Sequence, residues 1–329
     1  MSSQDAAEKT KSKDLSGAGQ KLLAFASLIA LIVAFSLLSE NFRTVTNMMN
    51  ILQATSVIGL LAVSATIVII TGGIDLSVGT AMTFTAVTAG MLLTWLQLPI
   101  PVGVVGAIVM GALTGLASGA FITKMRIPPF IATLGMMLVL KGLSLILTGT
   151  KPIYFNDSPG FTSIAQGSIV GALLPAFPVP NGVVILFLVA AGVAYILNRT
   201  VLGRYTYALG SNEEAARLSG VNVDAWKMAI YALAGAVTGI AGVVLAARLN
   251  SAQPALGQGY ELEAIAAVVI GGTSLAGGRG TILGTLIGAL IMSVMTNGLR
   301  ILSVAPEWQI VATGAIIIGA VYADSLRKK

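Results

Sequence analysis

Residues 51–70, ILQATSVIGLLAVSATIVII, run for twenty positions without a charge and stop at Thr71-Gly72-Gly73. About 20 apolar residues are what a helix needs to cross a hydrocarbon core of roughly 30 Å. Working outward from this run, nine more of the kind follow or precede it, so that spans are predicted near 22–39, 51–71, 79–96, 101–123, 128–149, 181–199, 226–248, 260–275, 281–300 and 306–323. Of the 329 residues 56% are hydrophobic and 10% charged, more apolar than a water-soluble domain of this size can cover with polar surface. A closed barrel would read as short alternating strands, whereas these runs are continuous. The fold class predicted is all-α, a polytopic transmembrane helical bundle of about ten segments.

The formal charge of +6 is distributed by side of the membrane and does not mark a nucleic-acid surface. Lys9, Lys11, Lys13, Lys21, Lys124, Arg126, Arg199, Arg204, Arg217, Lys227, Arg279, Arg327, Lys328 and Lys329 fall on one side of the predicted topology. Only Arg43, Lys151, Arg248 and Arg300 fall on the other, with Lys141 inside a span. The richer side is cytoplasmic by the positive-inside rule, which places both termini inside. Residues 1–21 are polar, mixed in charge and without an apolar period, and are expected to form a disordered cytoplasmic tail ahead of a single permease domain over 22–329. The first apolar run ends at Leu38-Ser39-Glu40 without a small-residue cleavage pattern, so an uncleaved span is expected there. The chain has no cysteine and no histidine, which removes disulfides, thiolate metal sites and the usual general base; no catalytic or metal-ligating residue is assigned.

Two spans carry small residues four apart: Gly103, Ala107, Gly111, Gly115 and Gly119 in the fourth, Gly280, Gly284 and Gly288 in the ninth. Such stripes let helix backbones approach closely, either within one subunit or across a dimer seam. Residues 70–80, ITGGIDLSVGT, have an echo in 270–281, IGGTSLAGGRGT. Paired glycine-interrupted segments mark broken helices at a transport pathway. Both breaks fall on the same predicted face, however, which does not by itself yield an inverted repeat. Asp75 either caps the third span with Ser77 or, with Thr71, Gly72, Gly73, Ser77, Thr273 and Ser274, lines a polar passage or gate. Lys141 needs a partner that no spacing names.

The loop of 200–226 holds the one sizeable charged segment inside the apolar body. Ser211-Asn212-Glu213-Glu214 has the form of a capping box, Ala215-Ala216-Arg217-Leu218 continues a helix, and Gly220 is placed to end it. A structured projection among mostly short loops suggests a place where another subunit pushes. No G-x-x-x-x-G-K-[ST] phosphate loop is present, and few intramembrane ionisable groups are available for a proton relay. ATP hydrolysis by a separate subunit fits these absences better than ion coupling; an ion-coupled secondary transporter or passive channel is the alternative.

Five stretches carry a family resemblance: NFRTVTNMMNILQATSVIGLLA at 41–62, TGGIDLSVG at 71–79, PPFIATLGMM at 128–137, LGRYTYALGSNEEAARLSGVNV at 202–223, and SAQPALGQGYELEAIAAVVIGGTSLAGGRGTILGTLIGAL at 251–290. From about Asn41 onward the chain resembles the ribose-type monosaccharide permeases of bacterial ATP-binding-cassette importers. The resemblance implies a multi-pass protein of the bacterial inner membrane, a second copy of itself, and an ATPase subunit, often fused in tandem, that binds ATP and Mg. It also implies a periplasmic sugar-binding protein docking on outer loops near 40–50, 150–180 and 249–260. Residues 210–220 match the family's coupling segment, so Gly210, Glu213, Glu214, Ala215, Arg217 and Gly220 would carry the ATPase motion to the spans. Permeases of the neighbouring amino-acid branch, whose substrates are zwitterions, are a second alternative. Because monosaccharides are neutral, a pathway at the dimer axis lined by hydroxyls and amides is expected, without a deep pocket of aromatic and carboxylate groups.

Overall fold

The structure, a computed structural model, describes residues 3–175 and 177–326. Arg327, Lys328 and Lys329, three of the charges used to orient the chain, lie outside the described residues. The helices are α1 (Ser3–Leu38), α2 (Val45–Ile70), α3 (Val78–Gly90, extended by a π-helical turn Met91–Trp95), α4 (Ile100–Lys124), α5 (Pro129–Thr148), α6 (Ser163–Gln166) and α7 (Ile169–Leu173). They continue with α8 (Asn181–Arg199), α9 (Val201–Ser211), α10 (Glu213–Leu218), α11 (Val223–Leu249), α12 (Tyr260–Ile270), α13 (Ile282–Ile301) and α14 (Pro306–Leu326). One short antiparallel pair, β1 (Ile153–Tyr154) with β2 (Ser251–Ala252), joins the long loop after α5 to the end of α11.

Seven described helices are long and apolar enough to cross a membrane, and Leu22–Leu38 adds a shorter apolar stretch. The polytopic all-α class therefore holds. Two predictions change. The backbone is helical from Ser3, where an irregular tail is expected; Ala6, Ala7, Glu8, Lys9 and Lys11 are good helix formers and lead directly into the apolar run. The predicted eighth span, 260–275, is only the half-helix α12: its eleven residues reach about 16 Å at 1.5 Å per residue. Gly271 and Gly272 end it against the start of α13, where a side chain on Gly271 would strike the Gly284 carbonyl.

Helix α2 is the axis of the fold, 89% buried over its apolar window against 22% for α5. Ser64 Oγ donates to Ala234 O (2.7 Å) and meets Thr238 Oγ1 (2.9 Å) on α11, while Thr66 meets Thr285 on α13 (2.7 Å). These hydroxyls tie apolar helices together where lipid offers no other partner. Both small-residue stripes pack within the chain. A Cβ at Gly111 or Gly115 on α4 would overlap the Gly235 or Tyr231 carbonyl on α11, and one at Gly288 on α13 the Ala267 carbonyl on α12.

Depth follows from α5. Thr133, about 6 Å along that helix, bonds Ile74 O (3.1 Å) and accepts from Leu76 N (3.2 Å); Lys141, about 18 Å along, bonds Gln258 Oε1 (2.6 Å). Residues 71–77 thus rise from the end of α2 into the bundle, and residues 253–259 descend from β2 to meet the start of α3. There α3 departs in one direction and α12 in the other. A side chain on Gly79 would overlap the Gly257 carbonyl, and Thr83 Oγ1 donates to Leu256 O (2.8 Å). Glu261 Oε1 and Oε2 accept from Gly259 N (3.0 Å each) at the meeting of the two helix N-termini, where a carboxylate is favoured. Glu261 is therefore buried where the two helix starts meet. The geometric counterpart of 71–77 is 253–259, in opposite orientation, and not the predicted echo at 271–281. The sequences differ there because only the backbone break is shared.

Candidate functional site: the coupling face and two charged cavities

The segment after α8 is more structured than its sequence suggests. Thr200 caps α9, an eleven-residue helix missing from the sequence reading although Leu202, Thr206 and Leu209 share one face. The chain then turns at Asn212, whose Oδ1 accepts from Ala215 N (2.9 Å) and starts α10. This corrects the capping box: Ser211 is the last residue of α9 and its hydroxyl donates back to Tyr207 O (2.8 Å). Gly220, at φ +84°, ends α10 as expected, with its N–H on Arg217 O (3.0 Å) and that of Val221 on Ala216 O (3.1 Å). Glu214, Ala215 and Leu218 face outward, Leu218 at 83% exposure, while Ala216 is buried.

Behind α10 the charges pair with one another. Glu213 Oε2 accepts from Lys227 Nζ (2.6 Å), its Oε1 from Arg217 (3.4 Å), and Arg217 reaches Asp224 (3.6 Å). These groups line a cavity of about 500 Å³ with Arg126, Pro128 and Pro129 from the α4–α5 connection. Glu213 and Arg217 thus bind α10 to α11, while Glu214 is left to the outside.

Gly210 carries the contact inward. A Cβ there would overlap the carbonyl oxygen of Ile70, the last residue of α2, and stand 2.5 Å from Gly278 N. Gly278 N itself donates to Ile70 O (2.8 Å), and Gly277 packs against Gly72 and Gly210. Three chain segments meet here backbone to backbone: α9, the break after α2, and the turn between α12 and α13. The residues singled out around 71–77 and 273–274 begin at this contact. Thr71 Oγ1 donates to Val68 O (2.6 Å); Asp75 Oδ1 accepts from Ser77 N (2.8 Å) and Oγ (2.6 Å), fixing the turn into α3. Gly73 lies against the Tyr231 hydroxyl, which has no hydrogen-bond partner. Thr71, Asp75, Ser77 and Thr273 are buried, and none of the seven lines either cavity.

A second cavity, of about 550 Å³, opens between α2, α11, α12 and α13 near the β1–β2 end. Helix α2 contributes Asn47 and Asn50, α11 contributes Arg248, α12 contributes Tyr260 and Glu263, and α13 contributes Ser293, Thr296, Asn297 and Arg300. One tyrosine and one carboxylate, Tyr260 and Glu263, stand among its mostly polar and aliphatic lining. The predicted spans put Arg248, Glu263 and Arg300 at span ends on the same side of the membrane, but nothing in the sequence says that those ends adjoin. A signal was present: Ser293, Thr296, Asn297 and Arg300 recur at i, i+3, i+4 and i+7 on an otherwise apolar helix, and Asn47 and Asn50 stand three apart on α2.

Residues 47–321 match the family described as branched-chain amino acid transport system / permease component. A ribose import permease protein of Escherichia coli strain K12 is 44% identical over 302 residues, covering 92% of both chains. A fructose import permease protein of Rhizobium meliloti is 38% identical, covering 92% of this chain and 84% of its own, and the xylose transport system permease protein of Escherichia coli K12 is 33% identical over 94% and 93%. No solved structure matches the chain.

Proposed function

The chain belongs to the family of branched-chain amino acid transport system permease components, and from that membership we propose that it is the membrane-spanning subunit of an ATP-driven importer for a monosaccharide. The observation that carries the substrate class is the 44% identity to a ribose import permease over 92% of both chains, with fructose and xylose permeases also among its relatives. The chain is a transport subunit of the bacterial inner membrane and no enzyme. It works as a dimer with α10 and both termini in the cytoplasm, beside an ATPase that binds ATP and Mg and a periplasmic sugar-binding protein on the opposite face.

The α10 element supports this reading. Leu218, Glu214 and Ala215 project from a short helix held rigid by a cap at each end, a shape that fits a groove on a partner. Any displacement of α10 reaches α9, and through Gly210 the ends of α2 and of the α12–α13 turn. Thr71, Gly72, Gly73, Asp75, Ser77, Thr273 and Ser274 then form the gate region that moves with them. Replacing Glu213, Glu214 and Arg217 together by Ala should reduce ATP-driven uptake of ribose to background while the chain still inserts. Full uptake in that variant would remove the coupling role. Reconstitution with the ATPase and binding protein tests the whole: ribose uptake by the chain alone, or uptake of leucine in place of ribose, would overturn the reading.

A further inference from the structure

The cavity between α2, α11, α12 and α13 has no part in the coupling described above, and it gathers charged and polar side chains near the ends of apolar helices. Among the described residues, ion pairs join Glu40 to Arg43, Glu213 to Arg217 and Lys227, and Arg217 to Asp224; none uses Arg248, Glu263 or Arg300. Three ionisable side chains from three helices therefore line one cavity without forming an ion pair. Polar groups that line a cavity without partners in the protein are left to water or a ligand. Two further groups line the same cavity: Ser293 Oγ and Asn297 Oδ1 are buried without a hydrogen-bond partner. Ser293 is 1% exposed, while the amide nitrogen of Asn297 is held by Asn47 Oδ1 (3.0 Å).

We propose that this cavity is a binding station for a monosaccharide, held inside a single chain. The choice of sugar as ligand rests on the transport reading above; the site itself rests on the geometry. Guanidinium groups only donate, a carboxylate and the Asn297 carbonyl only accept, and the Ser293 hydroxyl does both. A simple anion would satisfy Arg248 and Arg300 but face Glu263, and a simple cation would meet the reverse conflict. A neutral ring with hydroxyls on adjacent carbons donates and accepts around its rim and suits all of them. Tyr260 with Leu245 and Ile58 supplies apolar surface for the ring's C–H face. A volume of about 550 Å³ lies in the usual range for small-ligand sites, roughly 300–1,000 Å³. Sugar would thus pause within each subunit, and not only on the axis between two copies.

The chain has no cysteine, so Thr296→Cys on the cavity wall gives a unique thiol. The full-length variant in nanodiscs is reacted with a small membrane-impermeant thiol reagent in the presence of D-ribose, D-xylose, D-fructose or inorganic phosphate. One sugar at about four times its Kd should slow labelling about fivefold by mass action, and phosphate should not. Leu174→Cys, exposed near the same end but outside the cavity, should label equally with and without sugar. Adding Glu263→Gln with Arg300→Gln should abolish the protection while the free thiol still labels. Asn50→Cys on the α2 side repeats the measurement should Thr296→Cys misfold. Labelling unaffected by every sugar, or protection by phosphate, overturns the proposal. If no sugar protects but the assembled importer takes up ribose, this inference fails and the transport reading stands. If sugar protects but the assembled importer moves none, the transport reading fails alone.

Discussion

The two cavities are nearly equal in volume and both are lined by charged side chains, yet they treat charge in opposite ways. Behind α10, Glu213, Arg217, Asp224 and Lys227 satisfy one another within 3.6 Å and bind two helices into one lever. Between α2, α11, α12 and α13, Arg248, Glu263 and Arg300 stay apart. Charges that meet each other transmit force; charges held apart wait for something to arrive. The difference lies in the backbone that presents them. The inner set sits on α10 and the adjoining first turns of α11, which bring the partners together, whereas the outer set is spread over α11, α12 and α13, whose packing is decided elsewhere.

The largest test of the lever is Gly210→Val. The new side chain would overlap Ile70 O and force apart the contact of α9 with α2 and the α12–α13 turn. Overpacking of this kind costs about 1–3 kcal/mol. ATP-driven uptake should fall to background while nucleotide hydrolysis by the partner continues, and uptake near the parent level would show that Gly210 transmits nothing. Next in size is the outer cavity. Glu263→Gln combined with Arg300→Gln leaves the cavity's net charge unchanged, and it should lower sugar uptake sharply. The thermal midpoint should stay the same, because neither side chain makes an ion pair and Arg300 is exposed. A clear loss of stability would mean that these groups serve the fold after all. The inner cavity should give the reverse. Lys227→Met leaves Glu213 without its 2.6 Å partner and should cost about 1 kcal/mol, with a double-mutant cycle against Glu213→Gln recovering a favourable coupling. A coupling of zero would reduce the inner cluster to solvated surface.

How much of this could be read in advance depends on the range of the interaction. The long helices were legible, because a continuous apolar run has few other structures open to it in lipid, and Gly220 was legible as a helix stop because its left-handed backbone is a local demand. The small-residue stripes announced close packing, though only the fold shows α4 on α11 and α13 on α12. The half-helix α12 was hidden: 260–270 is apolar enough to merge with the uncharged residues 271–275, and its starting depth is decided by Lys141 and Gln258, 117 positions apart in the chain. The outer cavity was not read either: the predicted spans already place Arg248, Glu263 and Arg300 at span ends on one side, but which helices stand side by side is a tertiary fact that spacing does not carry. Likewise the partner of 71–77 was sought in a glycine-rich echo, while the fold pairs it with 253–259 through carbonyls and Gly79, which carry no side-chain signature.

The smallest prediction separates two adjacent residues on the lever. From sequence, Ser211 opens the capping box of α10; in the structure the cap is Asn212, and Ser211 belongs to the preceding helix. Removing a cap costs a helix about 0.5–2 kcal/mol, toward the low end where the helix end is exposed. Asn212→Ala should therefore loosen α10 by about 0.5 kcal/mol, seen as faster amide exchange at Ala215, whose N–H loses its acceptor. Ser211→Ala removes only a hydroxyl bonded back to Tyr207 O, within a helix whose own carbonyl ladder remains, and should leave that exchange unchanged. The opposite ranking would restore the sequence's capping box and move the start of α10 by one residue. Glu213 would then be turned away from Lys227, and with it would go the contrast between charges that grip and charges that wait.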